Sequence, residues 1–242
     1  MKLSALLLIV LLLTACGHKP VAVSVPAAPP AQSTSPEATP PEISGQEPLP
    51  ESIQIAPNAK PLLVETGIAS WYGAPYHNRR GSNGEIYDMR AMTAAHRTLP
   101  LGSVVRVTNP ANGKFVIVRI TDRGPFIGGR VIDLSQSAAK QIGLIQKGTG
   151  EVRVELLQTP VPLDSAGKWA VQIGGFEREG AARDLAGLLS RRYHTAKVLA
   201  FDSPAGDWWV RVRVKGDLRA KAEEIVRDTK ISEGGIFLVR LD

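Results

Sequence analysis

Acidic side chains are scarce in the middle of this 242-residue chain. Residues 66–159 contain six Asp or Glu against twelve Lys or Arg. Three of the six lie in two turn-rich segments, 82–96 and 119–125, together with one histidine: Glu85, Asp88, Asp122 and His96. Loop carboxylates often carry chemistry, and carboxyl groups beside a histidine can move a proton onto a glycosidic oxygen. The alternative for each acid is the capping of a turn, which Asp commonly does.

The positions of the three acids suggest different roles. Asp122 ends an alternating strand and enters an Arg-Gly-Pro turn, which can hold a carboxyl at the strand end. Glu85 and Asp88 are three residues apart, so a helical turn would place them on one face and a strand on opposite faces. We predict an acid/base role for Asp122 or Glu85 and an electrostatic role for Asp88. Which carboxyl holds the proton stays open, although two clustered acids would raise one pKa.

Neighbouring residues allow more than one role. Arg123 is a candidate contact for a glycan, and Arg123 or Arg119 could instead form a structural salt bridge with Asp122. Trp71 and Tyr72 could stack on sugar rings or belong to the core. Asp133 is interpreted as an acid at the start of a helix rather than as a catalyst.

Charge and composition restrict the partners. The net charge is +6, and the excess of basic residues in 66–159 makes that part the more basic of the two folded parts. A basic surface attracts nucleic acid, anionic lipid or an anionic polymer such as a carboxylate-bearing cell-wall glycan, and we find no nucleic-acid motif. The single cysteine excludes an internal disulfide. The four histidines show no ligand spacing, so we predict neither a metal nor a cofactor.

The first 63 residues have the composition of an export signal followed by a tether. Residues 1–15 have an early Lys and a short apolar run, and Leu-Thr-Ala-Cys ends at Cys16 as in a bacterial lipobox. We predict acylation of Cys16 and an outer-membrane anchor facing the periplasm, the alternative being an ordinary signal peptide. Residues 16–63 hold most of the 18 prolines and are predicted to be a disordered linker.

Two folded parts follow. Residues 64–159 contain several short alternating strands, a hairpin signal around Asn112-Gly113 and one small helix capped by Ser135, which predicts a compact β-barrel. A brief linker at 160–167 precedes residues 168–242, whose pattern is βαββαβ and predicts a four-stranded antiparallel sheet with both helices on one face.

Strand parity predicts the outer face of that second sheet. Side chains alternate along a strand, so the valines of 208–214 point towards the helices and their neighbours point outward. The predicted open face is a glycan surface of polar donors with one aromatic: Gln172, Trp209, Arg211 and Arg213. A merely solvated sheet face is the alternative.

The segments GIASWYG, SNGEIYDM, TAAHRTLPLGSVVRVTN, NGKFVIVRITDRGPF and GRVIDLS resemble the rare lipoprotein A family of septal lytic transglycosylases. The resemblance implies a six-stranded double-psi β-barrel, and it places Glu85, Asp88 and His96 in the active groove, with His96 hydrogen-bonded to a neighbouring carboxyl. Residues 168–242 resemble a sporulation-related (SPOR) domain, which binds glycan strands stripped of stem peptides. Ser82, Val210 and Lys215 depart from the family pattern, the last two where sugar stacking would be affected.

The family resemblance implies a lytic transglycosylase that cuts peptidoglycan between N-acetylmuramic acid and N-acetylglucosamine, leaving 1,6-anhydro ends. It also implies delivery to the division septum, with divisome proteins as further partners. The alternative hypothesis is a lipoprotein that binds peptidoglycan at the division site without cutting it.

Overall fold

The computed structural model describes residues 59–163, 167–203 and 206–242. The predicted signal, the predicted lipidation at Cys16 and most of the predicted linker lie outside these residues. Within them, no helix is long and apolar enough to cross a membrane.

The first folded part is a closed six-stranded barrel, as predicted. Its strands follow the order β1-β5-β2-β4-β3-β6, so the first strand pairs with the last one, antiparallel. The pairs β1-β5 and β2-β4 are parallel, and the other pairs are antiparallel. The strands are β1 (Leu63–Tyr72), β2 (Thr93–His96), β3 (Val104–Thr108), β4 (Phe115–Asp122), β5 (Arg130–Ser135) and β6 (Gly150–Gln158).

Alternating apolar residues build most of this barrel. In the hairpin of β3 and β4, Val107 pairs with Val116 and Val105 with Val118, and all four side chains are buried. Gly113 in the connecting loop has a φ of 69°, a conformation that glycine adopts without strain. Ser135 caps the short helix α1 (Gln136–Gln141) by accepting a hydrogen bond from the N–H of Ala138.

The strand β2 has no such alternation. All four of its residues are buried, because it lies between β4 and β5 in the barrel wall. Four buried residues without period-2 alternation carry little strand signal, and the sequence pattern alone did not indicate this strand.

The second folded part is the predicted antiparallel sheet of four strands, in the order β10-β7-β9-β8. Both helices pack on one face, where Val171, Ile173, Val210 and Val212 form the core with Ala182 and Ile225. The elements are β7 (Trp169–Phe176), α2 (Glu179–Arg192), β8 (Lys197–Asp202), β9 (Trp208–Arg213), α3 (Arg219–Asp228) and β10 (Gly235–Arg240).

The barrel covers part of the opposite face of this sheet. Phe126 of the barrel lies 5.4 Å from the ring of Trp209 and 5.8 Å from that of Phe237, measured between ring centroids. Gln172 and Trp209 are only 3% and 5% exposed. The prediction of an open sheet face is therefore wrong for Gln172 and Trp209, whereas the side chain of Arg213 is 42% exposed. Strand parity identifies the outward face correctly, but the barrel covers part of it.

Candidate active site

An open groove on the barrel brings together three of the predicted residues. It has a volume of about 370 Å³, counting space open to solvent. The loop between β1 and β2 forms one wall, and the ends of β2 and β4 form the other. The lining residues are Gly81, Asn83, Glu85, Ile86, Tyr87, Asp88, Ala91, Thr93, Arg119, Thr121 and Asp122.

Asp122 is held firmly through one carboxylate oxygen. Its Oδ1 accepts hydrogen bonds from the N–H of Ser82 at 3.0 Å, the hydroxyl of Ser82 at 2.5 Å and the N–H of Arg123 at 2.7 Å. Among the described residues, Oδ2 has no hydrogen-bond donor. A carboxyl fixed by one oxygen with the other free in a groove can exchange a proton with a bound ligand.

Glu85 is instead committed to an ion pair. Arg119 donates from both terminal nitrogens to the two oxygens of Glu85, at 2.9 and 2.7 Å. This bidentate contact lowers the pKa of Glu85, although the side chain is 55% exposed. Glu85 therefore stays ionised at neutral pH and is a poor proton donor. The predicted alternative, a salt bridge of Arg119 with Asp122, is not the one formed.

Asp88 lies at the exposed edge of the groove. Its Oδ1 accepts the N–H of Arg90 at 2.9 Å and lies 3.8 Å from Nδ1 of His77. Half of its side chain is open to solvent. The position suits an electrostatic contribution rather than proton transfer.

His96 does not contribute its ring to the groove lining. The imidazole is buried, its Nε2 lies 3.1 Å from Oε2 of Glu65, and its Nδ1 accepts the N–H groups of Thr98 and Leu99 at 3.2 and 3.0 Å. Since Nδ1 accepts, the ring is neutral with its proton on Nε2. Burial lowers the pKa of His96, and the hydrogen bond from His96 lowers that of Glu65. The predicted histidine–carboxyl hydrogen bond exists, but its partner is Glu65 of β1 and not a groove acid.

The other barrel residues predicted to touch sugar also lie outside the lining. Trp71 packs against the barrel core, and Tyr72 stacks on Tyr87 with ring centroids 4.3 Å apart. Burial is the main cause that raises the pKa of Tyr72. Arg123 is buried and donates to the main-chain oxygens of His96, Leu99 and Asp242. These rings and this guanidinium therefore serve packing in the structure.

Asp133 was interpreted from the sequence as an acid at the start of a helix, but the structure places it near Asp122. It lies on β5 opposite Ala95, whose other cross-strand neighbour is Asp122, so the two carboxyl-bearing residues flank one alanine. Its side chain is 14% exposed, one oxygen accepts from Arg130 at 3.0 Å, and Oδ1 is buried without a hydrogen-bond partner. Burial raises the pKa of Asp133 to about 6 against the opposing effect of Arg130. Only the strand pairing across β2 reveals this neighbourhood.

The four residues predicted on the outer face of the second sheet differ in their exposure and in their partners. Gln172 is buried and accepts two hydrogen bonds from Arg211, at 3.2 and 2.7 Å. Arg213 pairs with Asp217 through two hydrogen bonds at its more exposed position. Trp209 is packed beneath Phe126 and cannot stack on a sugar ring while this contact persists.

Within the described ranges, no group of three or more His, Cys, Asp or Glu side chains is arranged to hold a metal ion.

Two families match this chain. The family described as "Lytic transglycolase" matches residues 64–154, and the SPOR domain matches residues 165–235. The endolytic peptidoglycan transglycosylase RlpA of Vibrio cholerae is 54% identical over 112 residues, which are 46% of this chain and 42% of that relative. The protein of the same name from Pseudomonas aeruginosa is 61% identical over 89 residues, 37% of this chain and 26% of that relative.

The matched part thus spans less than half the length of these curated relatives. Among solved structures, the Streptomyces papain inhibitor is similar with a TM-score of 0.34 and 21% identity, covering 42% of this chain and all of the inhibitor.

Proposed function

We propose that this chain belongs to the rare lipoprotein A family and is an endolytic lytic transglycosylase of peptidoglycan. Two relatives carry that activity in their names, and residues 64–154 match the lytic transglycolase family. The observation that carries the proposal is the state of Asp122 in the groove. Three hydrogen bonds fix its Oδ1, and Oδ2 is free to meet a ligand.

A single acid/base suffices for this reaction. Breaking the bond between N-acetylmuramic acid and N-acetylglucosamine requires a proton on the leaving oxygen and stabilisation of an oxocarbenium-like centre. The C6 hydroxyl of the same muramic acid then attacks C1, and such intramolecular attack reaches effective molarities of about 10⁵ M or more. Asp122 gives its proton to the leaving oxygen and accepts one from the C6 hydroxyl. The product is a 1,6-anhydro end, and no water is consumed.

The remaining groove residues support this step electrostatically. Glu85, whose charge Arg119 balances, and Asp88 place carboxyl oxygens in the groove in which positive charge develops on the sugar. Asp133, on the far side of Ala95, is a second carboxyl that holds a proton below about pH 6. We infer that it keeps the interior beside Asp122 free of a second negative charge under mildly acidic conditions.

Strands without stem peptides are the proposed substrate. Removal of the peptide leaves a free lactyl carboxylate on each muramic acid, and the barrel segment 66–159 has twice as many basic as acidic residues. The SPOR domain is proposed to direct the protein to the septum, where divisome proteins are further partners. We propose that Cys16 carries the lipid anchor in the outer membrane.

The second candidate function is binding without cleavage. It is favoured by the exposure of the groove, since Glu85 and Asp88 are half open to solvent and water is not excluded from the site. A barrel that grips a glycan would need the same lining but no proton transfer.

Product analysis separates the two functions. Protein lacking residues 1–16 is incubated with peptidoglycan stripped of stem peptides, and the soluble products are weighed by mass spectrometry. Fragments lacking one water per cut are expected. Asp122→Asn should lower kcat by about 10²–10⁴-fold, which is the usual contribution of a general acid/base. Asp184→Asn, at an exposed position on α2, is the matched control and should leave kcat unchanged.

Other outcomes would decide against the proposal. Fragments with reducing ends that contain water would identify a hydrolase. Absence of soluble fragments together with retention of protein on the glycan would leave the binding function.

A further inference from the structure

One short turn of the barrel faces the groove at one end and the SPOR domain at the other. This Asp122 turn, residues 122–127, follows β4 directly. Asp122 lines the groove, and four residues later Phe126 packs on Trp209 and Phe237 of the SPOR sheet. The proposed acid and the residue that contacts the SPOR sheet therefore lie in the same short segment.

Arg123 connects the turn to the end of the SPOR domain. Its Nη2 donates to the main-chain oxygen of Asp242 at 2.6 Å, and its Nη1 donates to His96 and Leu99 at 2.9 and 2.6 Å. Burial lowers the pKa of Arg123 to about 10, and Arg240 of the SPOR domain adds to this effect. Loss of an acceptor is costly for a buried guanidinium, so the contact with Asp242 helps to hold Arg123 beside its two acceptors in the barrel.

Aromatic and main-chain contacts hold the rest of the turn. Arg97 donates to the main-chain oxygen of Pro125 at 3.0 Å, and its guanidinium lies 5.6 Å from the ring centroid of Phe237. Phe126, Trp209 and Phe237 are within 6.3 Å of one another, measured between ring centroids. The main chain also joins the domains, with the N–H of Arg240 bonded to the oxygen of Arg97 and that of Leu101 to Asp242.

An electrostatic interaction also joins the barrel and the SPOR domain. Burial lowers the pKa of Arg211 on β9, and the carboxylate of Asp122 acts in the opposite direction. Arg211 is held by the neutral amide of Gln172 and stacks on Phe201, without a carboxylate partner within 4 Å in the described part of the chain. Arg211 of the SPOR sheet is therefore a partly buried cation that the charge of Asp122 favours.

We propose that docking of the SPOR sheet positions Asp122 for catalysis, with Arg123 and Phe126 as positioning residues. This inference rests on the proposed function for its kinetic part only. When Phe126 loses its aromatic partners and Arg123 loses Asp242, the turn relaxes and the hydrogen bonds from Arg123 and Ser82 to Asp122 loosen. A displacement of about 1 Å at a reacting group can cost on the order of 100-fold in rate.

The test removes the contact from either side in the full chain. Phe126→Ala acts on the barrel and Trp209→Ala on the SPOR domain. Phe115→Ala, an exposed phenylalanine of the same barrel (53% exposed), is the matched control. Each of the two contact variants is expected to lower kcat about 10- to 100-fold with KM within about twofold, because position and not binding is lost. Phe126→Leu should restore part of kcat.

Hydrogen exchange gives a readout independent of catalysis. The amides of Ser82 and Arg123 bond directly to Asp122, so their exchange should rise about tenfold in Phe126→Ala and Trp209→Ala and stay unchanged in Phe115→Ala. The double variant Phe126→Ala/Trp209→Ala should lose less than the product of the two single losses, since the contact between Phe126 and Trp209 is removed in all three.

Several results would overturn the inference. One is an unchanged or increased kcat in Phe126→Ala although Trp209 has become solvent-exposed. The same holds for Trp209→Ala if Phe126 has become solvent-exposed. Another is unchanged exchange at Ser82 and Arg123. If the wild-type chain cleaves no glycan, the proposed function fails, and the exchange rates alone decide whether the turn is coupled to the SPOR domain.

Discussion

The groove of the barrel and the outer face of the SPOR sheet were both predicted to meet a glycan, and they differ in what covers them. The groove is open, with Glu85 and Asp88 at its exposed edge. The sheet face has the polar and aromatic residues expected of a binding surface, yet Gln172 and Trp209 are buried against or beside the barrel. Polar residues thus line an open groove in the barrel, whereas polar and aromatic residues on the SPOR sheet pack against the barrel.

This difference shows what strand parity can and cannot provide. Alternation assigned the valines of β9 to the core and Trp209 with Arg211 to the other side, as found. It carries no information on whether solvent, ligand or a second domain lies over that side. The following predictions test the contrast between an exposed functional site and a covered structural one.

Of the three substitutions that test this contrast, Glu85→Gln in the groove is expected to have the largest effect. The substitution keeps the shape but removes the charge that neutralises Arg119, so kcat/KM should fall by about 10- to 100-fold, as for loss of a charge-assisted hydrogen bond. Initial rates on stripped glycan strands measure it. The unfolding free energy should change by less than about 1 kcal/mol, because the pair is exposed.

Glu179→Gln is the control for this substitution. Glu179 pairs with Arg183 on the surface of α2, away from the groove, and its loss should leave the rates unchanged. A large loss of stability in Glu85→Gln with unchanged rates would show that the groove pair is structural.

A smaller effect concerns Asp133 and pH. Its pKa is raised from 3.8 to about 6 in the folded protein, so the folded state binds the proton more tightly than the unfolded state. The resulting stability is fully present below about pH 4 and is lost as the pH rises through about 6. The unfolding free energy of Asp133→Asn relative to that of wild type should therefore increase by on the order of 2 kcal/mol when the pH is raised from 4 to 7.5.

Urea unfolding at the two pH values measures this difference. Asp184→Asn, at an exposed position, should show no such gain. Parallel stability curves for wild type and Asp133→Asn would mean that the buried carboxyl is not protonated in the folded state.

The smallest effect is expected for Arg213→Ala. Arg213 lies two residues from Arg211 on the same strand, but it pairs with Asp217 inside its own domain. The loss should cost less than about 1 kcal/mol in thermal or urea unfolding, with unchanged cleavage rates. A rate loss comparable to that of Trp209→Ala would extend the domain contact to Arg213 and weaken the contrast between covered and exposed positions.

Local patterns were sufficient to predict much of the fold. The hairpin of β3 and β4, the cap at Ser135 and the helices of the SPOR domain follow from alternation, turn residues and helical spacing. The convergence of Glu85, Asp88 and Asp122 on one groove also agrees with the prediction, which rested partly on the family resemblance.

The remainder depends on pairings between distant strands. His96 meets Glu65 because β2 and β1 both border β5, and the sequence neighbours of His96 contain no hint of Glu65. Asp133 lies near Asp122 only because β2 separates β5 from β4 by a single strand. Arg123 was expected to contact Asp122 or a glycan, but its acceptors include a main-chain oxygen 119 residues away. Such partners follow from topology and not from local pattern.

The strand order of the barrel has a consequence for how the chain folds. Because β1 pairs with β6, the sheet closes only after residues up to 158 are available, and β2 needs both β4 and β5 as neighbours. Contacts of such long sequence separation make folding slow and leave strand edges unpaired meanwhile. Nascent barrels therefore pass through a period of vulnerability to proteases and aggregation, which ends when the last strand arrives.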